Sequence, residues 1–321
     1  IHAIQRTYNV LNQKISEHYL NSQDLATTNG NTFVAVSYAY DQKGNCISET
    51  SLDPYDQPIA CKAGYAELSR TYDSFNRLVE ERYLDGFGHN AVNTNGIHAI
   101  VRSYNEQGLK ATENYLDKDN HPCTNGNTYS GVIYTYDERG NCTLETYFGT
   151  DGLPIAVSAG YARIRRVYDD QKRILEERYL DTDGNACPNT NGVHAILRSY
   201  NALGQKITEQ YLNVKDQACT NGNTFSMIFY EYDAVGNCVH ETYLDADHQP
   251  ILLKAGYAEL KRVYNEKKLL LEEIYLDGHG QPVANTSGVH RIQREYNEQN
   301  LKVSERYLDV NLKPCQSGNT F

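Results

Sequence analysis

The sequence predicts an all-β protein of tandem 32-residue β-hairpins, and three observations predict it. First, a tyrosine returns every 32 residues without insertion or deletion: Tyr8, Tyr40, Tyr72, Tyr104, Tyr136, Tyr168, Tyr200, Tyr232, Tyr264 and Tyr296, each followed by Asp or Asn. Second, side chains alternate with period two on both sides of it, as in V-x-V-x-Y-x-Y at 34–40 and I-T-E-Q-Y-L at 207–212. Strands show that alternation when one face is covered. Third, a turn such as D-E-R-G or N-E-Q-G stands between the two runs, with Gly supplying positive φ where it occurs. No segment keeps a 3.6-residue period over three turns, so helix is not expected.

Within one unit the first strand ends on that tyrosine. Two residues before it stands Arg in seven units, and Tyr38, Tyr134 and Tyr230 in the other three. The second strand carries Glu nine residues after the tyrosine in all ten units: Glu17, Glu49, Glu81, Glu113, Glu145, Glu177, Glu209, Glu241, Glu273 and Glu305. Two residues further on comes another Tyr in nine units, with Ser51 the exception. A four-residue hairpin loop is expected, with Arg102 opposite Glu113 and Arg166 opposite Glu177. The recurring Tyr and Glu then form a structural ladder on the inner face, in layers of Tyr, Arg–Glu and Ile. Arg against a Tyr ring contributes about 0.5–1 kcal/mol at an exposed site, and an opposite-charge pair across strands about 0.2–1 kcal/mol. A second turn, such as Y-L-D-T-D-G-N at 179–185, closes the unit.

A period of 96 overlies the first. Units around Tyr8, Tyr104, Tyr200 and Tyr296 share His2, His98, His194 and His290 six residues earlier. The next type opens with N-T-F or N-T-Y (Thr32-Phe33, Thr128-Tyr129, Thr224-Phe225) and carries G-N-C after its turn. The third opens with A-G-Y-A at Tyr65, Tyr161 and Tyr257. Residues 1–321 are therefore expected to be one continuous array of ten units, three triplets plus one, cut at both ends. Thr320-Phe321 would open a further unit, and further repeats of the same chain are the expected partners at each end.

The composition fits such an array and excludes several classes. With 27 Tyr, no Trp and one Met and a mean hydropathy of -0.65, the interior must hold rings whose hydroxyls need partners. The balance of 30 basic to 41 acidic residues, net -11, disfavours a nucleic acid partner. No apolar run is long enough for a membrane span in this segment.

Several residue sets invite a chemical reading. Ten equivalent Glu resemble the paired acids of glycoside hydrolysis, but such a site needs two carboxylates in different environments. Structural pairing is the better account, and no catalytic residue is expected. Asp117, Asp181 and Asp245 open turns like the first ligands of a calcium loop, yet no Glu follows at loop spacing; Asx turns are expected. The His column lacks metal-ligand geometry and reads as core or strand-end histidine, so neither metal nor cofactor is expected. Cys123–Cys142 and Cys219–Cys238 are each 19 apart, but Thr27 stands where a partner of Cys46 would be, so buried free thiols are expected. Tyr65, Tyr161 and Tyr257, each directly after a Gly, are the candidates to face a ligand such as a sugar ring or a choline group.

The D-E-R-G-N at 137–141 and D-A-V-G-N at 233–237, each after Tyr and each followed by an alternating strand, resemble the YD repeats of bacterial RHS and teneurin-like proteins. That resemblance implies a long sheet wound into a hollow shell, enclosing a toxin or serving as an adhesion surface. The D-P-x-G-type motif that precedes an RHS cargo is absent, so an enclosed toxin is not expected of this segment. The 96-residue period is also similar to the three-fold hairpin superhelix of choline-binding and clostridial cell-wall-binding repeats. Two geometries thus stay open, an extended spiral sheet and a three-fold β-hairpin solenoid. The expected function is a non-catalytic scaffold of a large bacterial surface or secreted protein (shell, stalk or adhesion surface), located outside the cell or at its surface. The alternative is a module that binds an envelope glycan or choline; another surface protein is a further expected partner.

Overall fold

In a computed structural model, which describes residues 1–28, 30, 32–126, 128–222 and 224–318, each recurring tyrosine ends a strand and each strand belongs to a hairpin. The opening of a further unit at Thr320-Phe321 lies outside the described residues. The chain divides into two compact units, Ile1–Ser158 and Ala159–Phe321. The first holds β1 (Ala3–Tyr8) with β2 (Lys14–Leu20), β3 (Ala35–Tyr40) with β4 (Cys46–Leu52), β5 (Glu67–Tyr72) with β6 (Leu78–Leu84), β7 (Ala99–Tyr104) with β8 (Lys110–Leu116), and β9 (Gly131–Tyr136) with β10 (Cys142–Phe148). The second holds β11 (Arg163–Tyr168) with β12 (Ile174–Leu180), β13 (Ala195–Tyr200) with β14 (Lys206–Leu212), β15 (Met227–Tyr232) with β16 (Cys238–Leu244), β17 (Glu259–Tyr264) with β18 (Leu270–Leu276), and β19 (Arg291–Tyr296) with β20 (Lys302–Leu308). There is no helix among the described residues.

All pairings are antiparallel. Inside a hairpin six residue pairs face each other, as between β3 and β4; between hairpins only three do, as between β2 and β3. Each unit is therefore an edge-to-edge meander, and its strands contact only their sequence neighbours among the described residues. This is the extended sheet. Like units 96 residues apart do not stack, so the three-fold solenoid is not the arrangement within either unit.

The connection between hairpins explains why. It holds two turns where the sequence suggested one. Asp53 Oδ1 accepts from the backbone N–H of Tyr55 at 2.8 Å and of Gln57 at 2.9 Å. The chain doubles back so that Pro58 bridges Leu52. A second turn follows, with Cys61 N–H donating to Tyr65 O at 2.8 Å, and returns the chain to the free edge of the sheet. Gly64 has φ +99, and a Cβ there would stand 2.7 Å from the carbonyl oxygen of Val92 in the next connection. Glycine alone suits both demands.

The hairpin turn has five residues, Asp41–Asn45 in the second hairpin, and not the expected four. One extra residue then bulges from the second strand, and the register slips just before the tyrosine in hairpin after hairpin. Turn and bulge together place the residue two before the tyrosine opposite the Glu nine after it: Arg102 faces Glu113 and Arg166 faces Glu177. The fourth residue after the tyrosine has positive φ, as at Gly44 (+90) and Asn76 (+64), and also at Lys172 and Lys268. A left-handed Lys costs roughly 1–2 kcal/mol, which the surrounding ladder must offset.

Except in the first hairpin, where His2 is exposed, the position six residues before the tyrosine is among the best covered. His98 and Ala162 there are 0% exposed, and Ser226 likewise. Aliphatic residues four before the tyrosine, such as Val132 and Ile164, and the second tyrosine column, such as Tyr115 and Tyr211, complete the buried layer.

Candidate functional site

The face that carries the tyrosines also carries the charges. Arg102 donates through Nε to Glu113 at 2.9 Å and through Nη2 lies 2.8 Å from Glu81 of the preceding hairpin. Arg70 reaches back to Glu49 at 2.5 Å and lies 3.5 Å from Glu81. A line Glu49–Arg70–Glu81–Arg102–Glu113–Lys110 thus runs over three hairpins of the first unit, the last step being 3.0 Å. The second unit repeats it 192 residues on as Glu241–Arg262–Glu273–Arg294–Glu305–Lys302. Arg6–Glu17, Arg166–Glu177 and Arg198–Glu209 pair at 2.7, 2.8 and 2.8 Å.

Tyrosine hydroxyls close the remaining bonds. The second column donates to the Glu two residues earlier on its own strand: Tyr115 to Glu113 at 2.7 Å, Tyr179 to Glu177 at 2.9 Å, Tyr211 to Glu209 at 2.6 Å. The first column reaches across to the preceding hairpin. Tyr40 donates to Lys14 O, Tyr104 to Leu78 O, Tyr136 to Lys110 O and Tyr232 to Lys206 O, at 2.7–2.8 Å. Those carbonyls sit at the bulge, past the three-residue pairing between hairpins, and a buried carbonyl without a donor is costly. Reading the sequence for strands alone misses this role. Its signal was the unbroken Tyr column in a chain that also has seven Phe.

Where Tyr38, Tyr134 and Tyr230 replace the arginine, a lysine of the preceding hairpin fills in. Lys14, Lys110 and Lys206 lie 4.3, 4.8 and 4.9 Å from those ring centres, and each also pairs with the Glu three residues ahead on its strand. The next hairpin has Cys at the lysine's position, and Cys46 Sγ lies 3.8 Å from Arg70 Nη1. The third type has Leu or Ile there. Arg102 and Arg294, which follow Leu78 and Leu270, each keep one buried Nη1 without a hydrogen-bond partner. The 96-residue period is thus a rule of neighbours: Lys before Tyr, Cys before Arg, Leu or Ile before Arg.

The electrostatics follow the geometry. Burial opposes the charge of Glu209, but hydrogen bonds from Tyr211, Lys206 and Arg198 outweigh it and bring its pKa to about 2. Glu17 is likewise held at about 2 against burial by Arg6, Tyr19 and Lys14. Glu305 is held at about 2 by Lys302 and Tyr307. Burial first, and then the Glu113 carboxylate, push the Tyr115 phenol well above its ordinary value. The displaced ladder carboxylates all shift downward, whereas glycoside hydrolysis needs one carboxyl kept protonated.

Tyr65, Tyr161 and Tyr257 are half-buried, with ring centres 4.6, 4.7 and 4.8 Å from Tyr83, Tyr179 and Tyr275. Asp117, Asp181 and Asp245 each accept two backbone N–H bonds through Oδ1, at 2.8–2.9 Å, and form Asx turns. No group of three or more His, Cys, Asp or Glu fit to hold a metal occurs among the described residues. His98 Nδ1 lies 2.9 Å from the carbonyls of Tyr83 and Ala91, and its Nε2 lies 3.0 Å from Arg82 Nη1. Its ring proton therefore belongs on Nδ1, and Nε2 accepts from Arg82. All eight cysteines, Cys123 and Cys142 included, are half-buried thiols rather than fully buried ones.

No family model matches the chain, and no curated protein matches it. Among solved structures it is similar to the Tc holotoxin pore of Photorhabdus luminescens, at 11% identity and a TM-score of 0.41. It is similar too to the TcdB2-TccC3 structure, at 15% identity and a TM-score of 0.36. The likeness covers 99% and 96% of this chain, which spans 16% and 15% of the length of those chains.

Proposed function

We propose that residues 1–321 form one uninterrupted, non-catalytic repeat scaffold of a large secreted or surface protein, in which the array serves as shell wall, stalk or adhesive surface. The observation that carries this reading is the closed ladder. Glu17, Glu113, Glu209 and Glu305 accept from Arg, Lys and Tyr of their own hairpins. Glu49, Glu81, Glu241 and Glu273 each pair with an Arg of the next hairpin, so these carboxylates are spent on cohesion within and between hairpins. A site for chemistry needs groups held in reserve; this face uses the same groups for cohesion, hairpin after hairpin. A module for envelope glycan or choline is less well supported, because the rings of Tyr65, Tyr161 and Tyr257 are engaged with other tyrosines.

Retention on purified cell wall separates the two. The scaffold reading expects weak retention or none, with free choline or neutral sugar competing for any that occurs. Tight, salt-resistant retention that vanishes on combined Tyr65→Ala, Tyr161→Ala and Tyr257→Ala substitution would overturn it, since a repeated glycan site gains avidity from its copies.

A further inference from the structure

The second tyrosine column breaks once, at Ser51, and the structure has a cavity there. The backbone is undisturbed: Ser51 N–H donates to Ala66 O at 2.8 Å, and Ile59 N–H to Ser51 O at 2.9 Å. Only the phenol is missing. A cavity of about 260 Å³ takes its place, lined by Phe33, Tyr38, Glu49, Ser51, Tyr65 and Leu68 among others.

The equivalent position 192 residues on shows what such a slot holds. The Tyr243 ring lies 5.1 Å from Phe225 and 6.0 Å from Tyr257, and its hydroxyl donates to Glu241 at 2.6 Å. Phe33, Tyr65 and Glu49 are the counterparts of Phe225, Tyr257 and Glu241. Both aromatic walls and the acceptor are thus present, without the ring that elsewhere joins them. Glu49 Oε1 takes Arg70 Nη1 at 2.5 Å, and no described residue supplies the phenol bond that Glu241 receives. The Glu49 side chain is 36% exposed against 15% for Glu241, so the slot opens to solvent at its carboxylate.

We propose that this slot binds a phenol ring from outside the hairpin, either a small free phenol or the tyrosine side chain of another polypeptide. The ring lies between Phe33 and Tyr65, and its hydroxyl donates to Glu49. A ring without the hydroxyl leaves the acceptor unmatched, and a phenolate is repelled by the carboxylate.

The test is titration of the folded chain with p-cresol, the tyrosine side chain as a free molecule, followed by NMR, beside toluene as the ring without its hydroxyl. We expect saturable p-cresol binding with half-saturation on the order of 1 mM, the range open to so small a ligand. Toluene should bind at least about tenfold more weakly. Ser51→Tyr supplies the ring covalently, so this variant should melt at higher temperature than the parent and lose p-cresol binding. N-acetyltyrosine amide distinguishes the sources: binding comparable to p-cresol assigns the slot to a polypeptide tyrosine, and binding of p-cresol alone assigns it to a small phenol. Absence of saturable p-cresol binding to the parent chain, toluene binding as tightly as p-cresol, or equal p-cresol binding by Ser51→Tyr would each overturn the proposal.

Discussion

Glu177 shows how much one recurring residue carries. It accepts from Arg166 at 2.8 Å and from Tyr179 at 2.9 Å, in a position where its side chain is 15% exposed. Truncation leaves a largely desolvated guanidinium and a buried phenol with one partner fewer. Glu177→Ala should therefore cost about 3 kcal/mol, the low end for breaking a buried pair. Asp183 is an exposed turn residue whose backbone N–H, not its side chain, makes the turn bond, so Asp183→Ala should stay within about 0.5 kcal/mol. Equal shifts in melting temperature would refute an inward-facing ladder. The same carboxylates set the response to acid. Glu17, Glu209 and Glu305 are lowered from 4.5 to about 2 in the folded chain, so the unfolded state binds protons first as pH falls. Their contribution is complete above about pH 5 and is lost on descent from there towards pH 2, on the order of 2–3 kcal/mol for each group. A melting temperature that is flat from pH 7 to 5 and then drops is the expected profile. One that rises on acidification would contradict the assignment.

At the scale of the hairpin, the strands and the tyrosine boundary were legible because each is a period-two or period-32 signal in the sequence. The Arg–Glu pair was legible as a recurring opposite-charge pair but not from the loop length. A four-residue loop alone would set Arg102 opposite Ala111, and the fifth turn residue and the bulge bring Glu113 there. The bulge itself was not legible. A single extra residue such as Thr143 looks like any other strand residue, and it is visible only once Tyr136 is found opposite Cys142 and Thr135 opposite Leu144. The second turn of each connection was hidden for a different reason: A-G-Y-A around Tyr65 alternates like the start of a strand, and only the positive φ of Gly64 marks it as a turn. The hydroxyl straps needed three dimensions, since Tyr104 and Leu78 are 26 residues apart. They also give a sharp test. Tyr104→Phe keeps the ring and removes one donor from the Leu78 carbonyl, and a loss of about 1–2 kcal/mol in denaturant unfolding is expected. No change would mean that water serves that carbonyl equally well.

At the scale of the whole chain the neighbour rule predicts which rearrangements fold. Removing residues 34–129, one full triplet, joins Phe33 to Ser130 and sets Lys14 beside Tyr134 in place of Tyr38, so the matched pair survives. Removing residues 34–65, one unit, sets Lys14 beside Arg70 and brings two cations together. The first deletion should melt cooperatively with little change per repeat, and the second should lose roughly 1 kcal/mol or more at the new seam. Circular dichroism melts of the two deletions decide it, and indistinguishable behaviour would show that any hairpin tolerates any neighbour. In an array of this kind stability is a sum over repeats and their interfaces, so the cost should stay local to the seam.

The seams have a mechanical meaning as well. Six residue pairs hold the strands of a hairpin together and three hold one hairpin to the next, so within each unit the sheet alternates strong and weak joints. Drawn from its ends, it presents those joints one after another, like a perforated strip, and should yield at the weak ones first. A hairpin parted from its neighbour has only its own six pairs to hold it, and a lone two-stranded hairpin is marginal in water. It therefore opens in turn, and each yield frees one 32-residue hairpin with its connection, about 110 Å of chain at full extension. Single-molecule pulling should then record a staircase of equal steps near that length, with neighbouring hairpins still folded while one lets go. A scaffold that parts in this way lengthens under load by giving up small, quickly refolded pieces, and the rest of the sheet keeps its register.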